Sequence, residues 1–209
     1  MKKSIVFGVI LCVVAAFYSC GSGNEKGDSD YEGTSNDHQI TPEESAEFNA
    51  LGKAILDTAK NMLKTSLMSA LQENGPIEAV KFCNVHATGL VDDLAARHGV
   101  KINRISTNNR VPANIPDGGG FNVLQRFDNG RMNGNMSSST LLALHTGQSK
   151  YYEPILVDAP CLTCHGMKDE MMPELVTVMD SLYPKDKATG LKLGDLRGAW
   201  VVDFQNGDG

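Results

Sequence analysis

The chain has 209 residues, of which 41% are apolar and 21% charged, and carries a formal net charge of −6 at pH 7. That apolar content is enough for one domain with a packed core and excludes a wholly disordered chain. The acidic balance excludes nucleic acid as an expected partner, because no basic surplus is available to neutralise phosphates.

Residues 1–19 read as an export signal. Lys2 and Lys3 form a positive start, and the apolar run from Ile5 to Phe17 is too short to span a bilayer. The run ends in Phe17-Tyr18-Ser19-Cys20-Gly21, which resembles a bacterial lipoprotein box with Phe17 where leucine is usual. Lipidation at Cys20 is therefore expected, with an ordinary signal peptide cleaved near Ser19 as the alternative. This places the protein in the bacterial cell envelope, held to a membrane and facing the periplasm or the outer membrane. Residues 20–40 are rich in Gly, Ser and Asp and read as a flexible tether.

The folded domain is expected over residues 41–209. Thr41-Pro42-Glu43-Glu44 combines an N-cap, a proline at the first helical position and a capping-box glutamate. Phe48, Leu51, Ile55, Ala59 and Met62 follow at helical spacing, to about Glu73. Asn74-Gly75-Pro76 stops this helix and begins a second, striped with Ile77, Val80, Cys83, Ala87, Leu90 and Leu94 and ended by Gly99. Two long helices in an antiparallel pair follow from this pattern. Val100 to Thr107 alternates as a strand. A loop with Pro112, Pro116 and Gly118-Gly119-Gly120 comes next, then a short helix over Phe121 to Phe127. Further strands are expected at 139–145, 151–157 and 199–204, with a helix around the proline of 169–182 and turns over 186–195. Helices first and short strands after them read as an α+β fold with an antiparallel sheet.

Cys161-Leu162-Thr163-Cys164-His165 has the form of the c-type haem attachment motif. Two sulfurs three positions apart can form thioethers to the porphyrin, and the next residue offers an imidazole to the iron. Zinc would need two more ligands at suitable spacing, and no second Cys/His pair is visible. A dithiol oxidoreductase would carry its motif after a strand in a βαβ pattern, which is missing. The reading is thus one covalent haem c, with Cys161 and Cys164 as anchors and His165 as proximal ligand.

Of the five cysteines, Cys12 lies in the signal, Cys20 is assigned to lipid and two belong to the motif, so Cys83 is left without a disulfide partner. The sixth iron ligand is open at this level. Cys83, His86, His98, His145, Met167, Met171 and Met172 are all candidates, although a lone Met is more often core filler. Arg104, Arg110 and Arg197 are candidate partners for the haem propionates, since a guanidinium matches a carboxylate. Tyr151 and Tyr152 are candidate pocket walls or ordinary strand packing.

The ordered set of motifs resembles a family of exported single-haem c-type proteins with a PAS-like fold, first characterised in cyanobacteria. The similarity covers roughly residues 45–205. It is carried by Phe82-Cys83-Asn84-Val85-His86-Ala87, by Arg104 through Asn114, by Tyr152-Glu153-Pro154-Ile155 and by the Cys161–Gly166 motif. Tyr183 through Gly190 and Gly194 through Ala199 complete it. Val111 departs from the family pattern, which often has Asn after Arg110. The resemblance implies a PAS-like antiparallel sheet behind the helices and iron ligation by His165 and Cys83. It also implies a labile Cys83 ligand and hence a module responding to redox state or a small gas. A periplasmic single-haem electron carrier is the alternative, and an enzyme is not expected, because no distal acid–base residue is visible. A separate redox or signalling protein is the expected partner, since no output domain follows the haem domain.

Overall fold

A computed structural model describes residues 40–85, 89–144 and 148–204. Cys20, His86 and His145, like residues 1–39 and 205–209, lie outside the described residues. The fold is α+β, built from a long N-terminal helical segment and a four-stranded antiparallel sheet.

Helix α1 (Pro42–Val85) starts where the capping box expects it. Thr41 N–H donates to Glu44 Oε2 at 2.7 Å, and Glu44 N–H donates to Thr41 Oγ1 at 3.2 Å. The helical backbone breaks at Gly75, whose φ is +77°. Proline disfavours the helical conformation at the residue before it, and glycine takes the alternative at little cost. Helix α2 (Gly89–His98) then runs beside α1. Residues 55–59 and 91–95 are equally distant in sequence from Gly75 and join one core cluster, as a chain folded back at that glycine requires.

The strands are β1 (Val100–Ile105), β2 (Thr140–Ala143), β3 (Ser149–Leu156) and β4 (Leu196–Phe204), in the order β1-β4-β3-β2. Alternation along them sends side chains to two cores. On one face Val100, Ile102, Tyr151, Trp200, Val202 and Phe204 meet Ile55, Leu56 and Ala59 of α1 and Val91, Leu94 and Ala95 of α2. Gly52 permits this contact, because a Cβ there would lie 2.5 Å from the Tyr151 ring. On the other face Tyr152, Ala199 and Val201 meet Val123, Leu124 and Phe127. Adjacent tyrosines thus serve opposite cores as ordinary strand packing.

Those last three residues belong to α3 (Gly118–Met132), which is longer than the short helix the sequence suggests. The three glycines read as loop form its first turn. Asp117 caps it by accepting from Gly120 N–H at 2.6 Å, and a Cβ on Gly120 would lie 2.8 Å from Ile105 Cδ1. Glycine here serves close packing on β1 rather than chain flexibility. Residues 169–182 also divide. A 3₁₀ turn (Lys168–Glu170) precedes α5 (Pro173–Leu182), with Pro173 in its first turn.

Strand β4 carries one irregularity. Ile155 pairs with Gly198 and Leu156 pairs with Leu196, so Arg197 is the extra, bulged residue. Gly198 has a φ of +154°, and a Cβ on it would lie 2.2 Å from Ile105 O. Only glycine lets β1 and β4 close at this point.

Two substitutions test these local causes by urea unfolding of the purified protein. Gly198→Ala is expected to cost about 3 kcal/mol through backbone strain and overpacking, and an unchanged midpoint would contradict the close approach. Asp117→Ala is expected to cost about 1 kcal/mol at pH 7. The Gly120 hydrogen bond, and then Lys150, hold the Asp117 carboxyl below its ordinary value of 3.8. Its contribution is therefore present above that value and lost as pH falls through the lower folded value. The difference between wild type and Asp117→Ala should shrink below about pH 4.

Candidate functional site

A 3₁₀ turn (Ala159–Cys161) leads directly into the single-turn helix α4 (Leu162–His165). Asp158 caps the turn, accepting from Ala159 N–H at 2.8 Å, while Asp158 N–H donates to Cys161 Sγ at 3.4 Å. One turn of helix sets Cys161 and Cys164 on the same side, three positions apart. Both are half-buried free thiols, as is Cys83. Gly166 ends the turn, its N–H donating to Leu162 O at 3.0 Å. A Cβ at Gly166 would stand 2.7 Å from that oxygen.

The motif is gripped from outside. Leu191 N–H donates to His165 O at 2.9 Å and Gly190 N–H to Gly166 O at 2.7 Å. Arg110 Nη2 donates to Cys164 O at 2.5 Å. The His165 ring Nδ1 lies 2.6 Å from Ala188 O. A carbonyl can only accept, so Nδ1 carries the proton and the Nε2 lone pair is free. Burial, and then the charges of Arg197 and Arg110, push His165 down to about 3. The imidazole is therefore neutral at physiological pH, as a metal ligand must be.

Cys83 reaches this site from the part of α1 that follows Gly75. Val80, three residues earlier, packs with Leu175, Met179 and Tyr183, and Cys164 lies against the same cluster. Cys83 and Cys164 act on each other electrostatically, and Cys83 also faces Arg104 and Arg110. Burial pushes both thiols up, with the arginines opposing it at Cys83 and Arg110 opposing it at Cys164. Val111, the departure from the family pattern, packs against this cluster too.

All three sequence-proposed arginines converge here. Arg104, next to last in β1, lies over the Trp200 ring, 5.4 Å from its centroid. Arg110 lies over the Tyr183 ring at 5.3 Å and donates through Nε to Asp186 Oδ2 at 3.1 Å. Arg197, set by the bulge, donates to Asn108 O at 3.1 Å. Burial and the like charges of Arg110 and Arg104 pull the Arg197 guanidinium down to about 10, with Asp186 opposing them. Partial desolvation against its neighbours also lowers Arg104, although the residue stays exposed. The site thus has more cationic side chains than anions to balance them.

The remaining candidates stand elsewhere or serve packing. His98 is exposed at the end of α2, next to Val100 and so at the far end of β1 from Arg104. Met167 and Met172 are exposed, and Met171 fills the Val80–Tyr183 cluster. Sequence reasoning missed the support around the motif. Ser106 Oγ donates to Arg197 O at 2.7 Å and accepts from Asn108 N–H at 3.1 Å. Asn109 Nδ2 donates to Val111 O, and Lys187 N–H donates to Asn109 O. Asp186 and Ala188 were also missed as functional residues. Their signal was an Asp two positions ahead of a loop residue in Asp186-Lys187-Ala188-Thr189-Gly190, the pattern of an Asx turn.

Among the described residues no three or more His, Cys, Asp or Glu side chains converge as a cage for a bare metal ion. What the site offers is a free imidazole nitrogen, three thiols and a cationic rim, suited to a metal-bearing group with acidic substituents.

Comparison with known proteins agrees with this architecture. The fold matches the crystal structure of the cyanobacterial haem protein Tll0287 with a TM-score of 0.59 and 22% sequence identity, over 78% of this chain and 95% of that one. No curated protein matches the sequence. The Tll0287-like family matches residues 37–204, which takes in the helices, the sheet and the whole of the Cys161–His165 site, and the chain belongs to that family.

Proposed function

We propose that this protein is an exported, lipid-anchored c-type haem-binding module, not an enzyme, that responds to redox state or a small gaseous ligand. The observation that carries the reading is the His165 side chain. It is neutral and oriented by Ala188 O, and it follows two half-buried free thiols on one helical turn.

The donor set fits one haem. Cys161 and Cys164 would form the thioethers, and His165 Nε2 would ligate the iron with its Nδ1–H tied to a backbone carbonyl. Such a bond orients ligating histidines and raises their basicity. Arg104, Arg110 and Arg197 all act on His165, and two propionates would balance their charge. Cys83 would be the second protein ligand to the iron. When bound, haem supplies a one-electron redox couple and an iron that can take a small ligand.

The two residues that would hold the iron come from different elements, Cys83 from α1 and His165 from α4. Cys83 lies on the portion of α1 that packs on α5, so a change at that thiol would reach this packing, where a separate partner would read it. Lipidation at Cys20 would hold the module at the membrane of the cell envelope. The structural relative Tll0287 is a haem protein, which supports the haem reading for this chain.

Expression alongside haem-attachment machinery tests the proposal. Intact mass should show one added haem, and the pyridine haemochrome spectrum should be that of a c-type haem. A colourless protein with no mass increase would end the reading. Ferric EPR and optical spectra should differ between wild type and Cys83→Ala, and identical spectra would remove Cys83 as a ligand. Binding of CO or NO by the reduced protein would favour the responsive module. Refusal of both gases in both states would favour a single-haem electron carrier.

A further inference from the structure

Asp186 has no counterpart in the Cys-x-x-Cys-His motif, yet two structural paths from it end at His165. Its side chain is 3% exposed and Oδ2 accepts from Arg110 Nε at 3.1 Å. Arg110 then uses Nη2 to hold Cys164 O, the carbonyl of the peptide that joins Cys164 to His165. Asp186 Oδ1 accepts from Ala188 N–H at 2.7 Å, closing an Asx turn. That turn presents Ala188 O to His165 Nδ1 at 2.6 Å. One carboxylate therefore sets both the backbone entering His165 and the acceptor of its ring proton.

Its charge also has a place. Asp186 opposes the mutual repulsion of Arg197 with Arg110 and Arg104, and ion-pairs directly with Arg110. Loss of this carboxylate would leave a nearly buried guanidinium without its counter-charge and an Ala188 N–H without its acceptor. Both faults would loosen the hydrogen bond on the imidazole.

We infer that Asp186 is a positioning residue for the haem iron, acting through Ala188 O and Arg110 to fix the tautomer, orientation and donor strength of His165. This rests on the haem reading above. A stronger imidazole donor and a nearby negative charge both favour the ferric state. Asp186 therefore lowers the reduction potential, and its removal raises it.

The experiment uses the haem-loaded full protein as wild type, Asp186→Asn, Asp186→Ala and Asp180→Asn. Asp180 is an exposed carboxylate on α5 paired with Lys168, so its variant removes the same charge outside the site. The readouts are midpoint potential, the Fe–His stretching frequency of the ferrous form by resonance Raman, the haem-loaded fraction by mass, and the melting temperature. Asp186→Asn keeps an acceptor for Ala188 N–H, so it should raise the potential and lower the Fe–His frequency with a small drop in melting temperature. Asp186→Ala should move all of these further, and Asp180→Asn should match wild type. If the Asp186 variants melt lower but keep the wild-type potential and Fe–His frequency, the residue is only a structural brace and the inference is overturned. Wild type that takes up no haem would instead overturn the parent reading, and this inference with it.

Discussion

Three guanidiniums gathered at one end of a small sheet, with Asp186 ion-paired to one of them, Arg110, set the terms for everything around them. Like charges brought together repel, the more strongly where neighbouring groups exclude water. Burial, and after it this repulsion from Arg110 and Arg104, lowers Arg197 to about 10. The arginines hold their positions because each has a separate restraint: the Trp200 ring for Arg104, Asp186 and Cys164 O for Arg110, and Asn108 O for Arg197.

The fold supplies those restraints from parts of the chain far apart in sequence. Strand β1 delivers Arg104, the loop after it delivers Arg110, and the β4 bulge delivers Arg197. The Ser106 hydroxyl joins that loop to the bulge, and the Asn109 carbonyl joins it to the segment presenting Ala188. Both faces of the sheet are packed, one by α1 and α2 and the other by α3. The strand ends that carry the arginines are therefore anchored in rigid structure. Precise placement of charged groups depends on such support, since an unsupported surface arginine would spread over many rotamers.

The same packing explains how a chemical event at the site could be felt beyond it. The portion of α1 beyond Gly75 contributes Val80 to the cluster with Leu175, Met179 and Tyr183, and Cys83 lies one turn further on. Motif and helix are thus neighbours through side-chain packing, whereas the motif and the 188–191 segment are joined by backbone hydrogen bonds. On the proposed reading the His165 side is the fixed half of the site and the Cys83 side the adjustable half. The difference lies in the type of bond: a hydrogen-bonded clamp has one geometry, while an apolar contact tolerates sliding.

The amino-acid sequence by itself determined what depends on near neighbours. The capping box at Thr41, the break at Gly75-Pro76, the helical stripes and the alternation of β1 all express local steric and hydrogen-bonding preferences. The grouping of Cys161, Cys164 and His165 on one turn is equally local. Cys83 was legible through cysteine counting and family resemblance. Tertiary structure alone decided which arginines meet, because Arg104 and Arg197 are brought together only by the β1–β4 register and a one-residue bulge. It also decided that Gly118-Gly119-Gly120 is helical, since burial of Val123, Leu124 and Phe127 and the need to approach Ile105 outweigh glycine's poor helix propensity. The role of Asp186 was hidden for the same reason: its ion-pair partner Arg110, and the Cys164 carbonyl that Arg110 holds in turn, are remote in sequence, and no local pattern encodes a contact that exists only once the chain has folded.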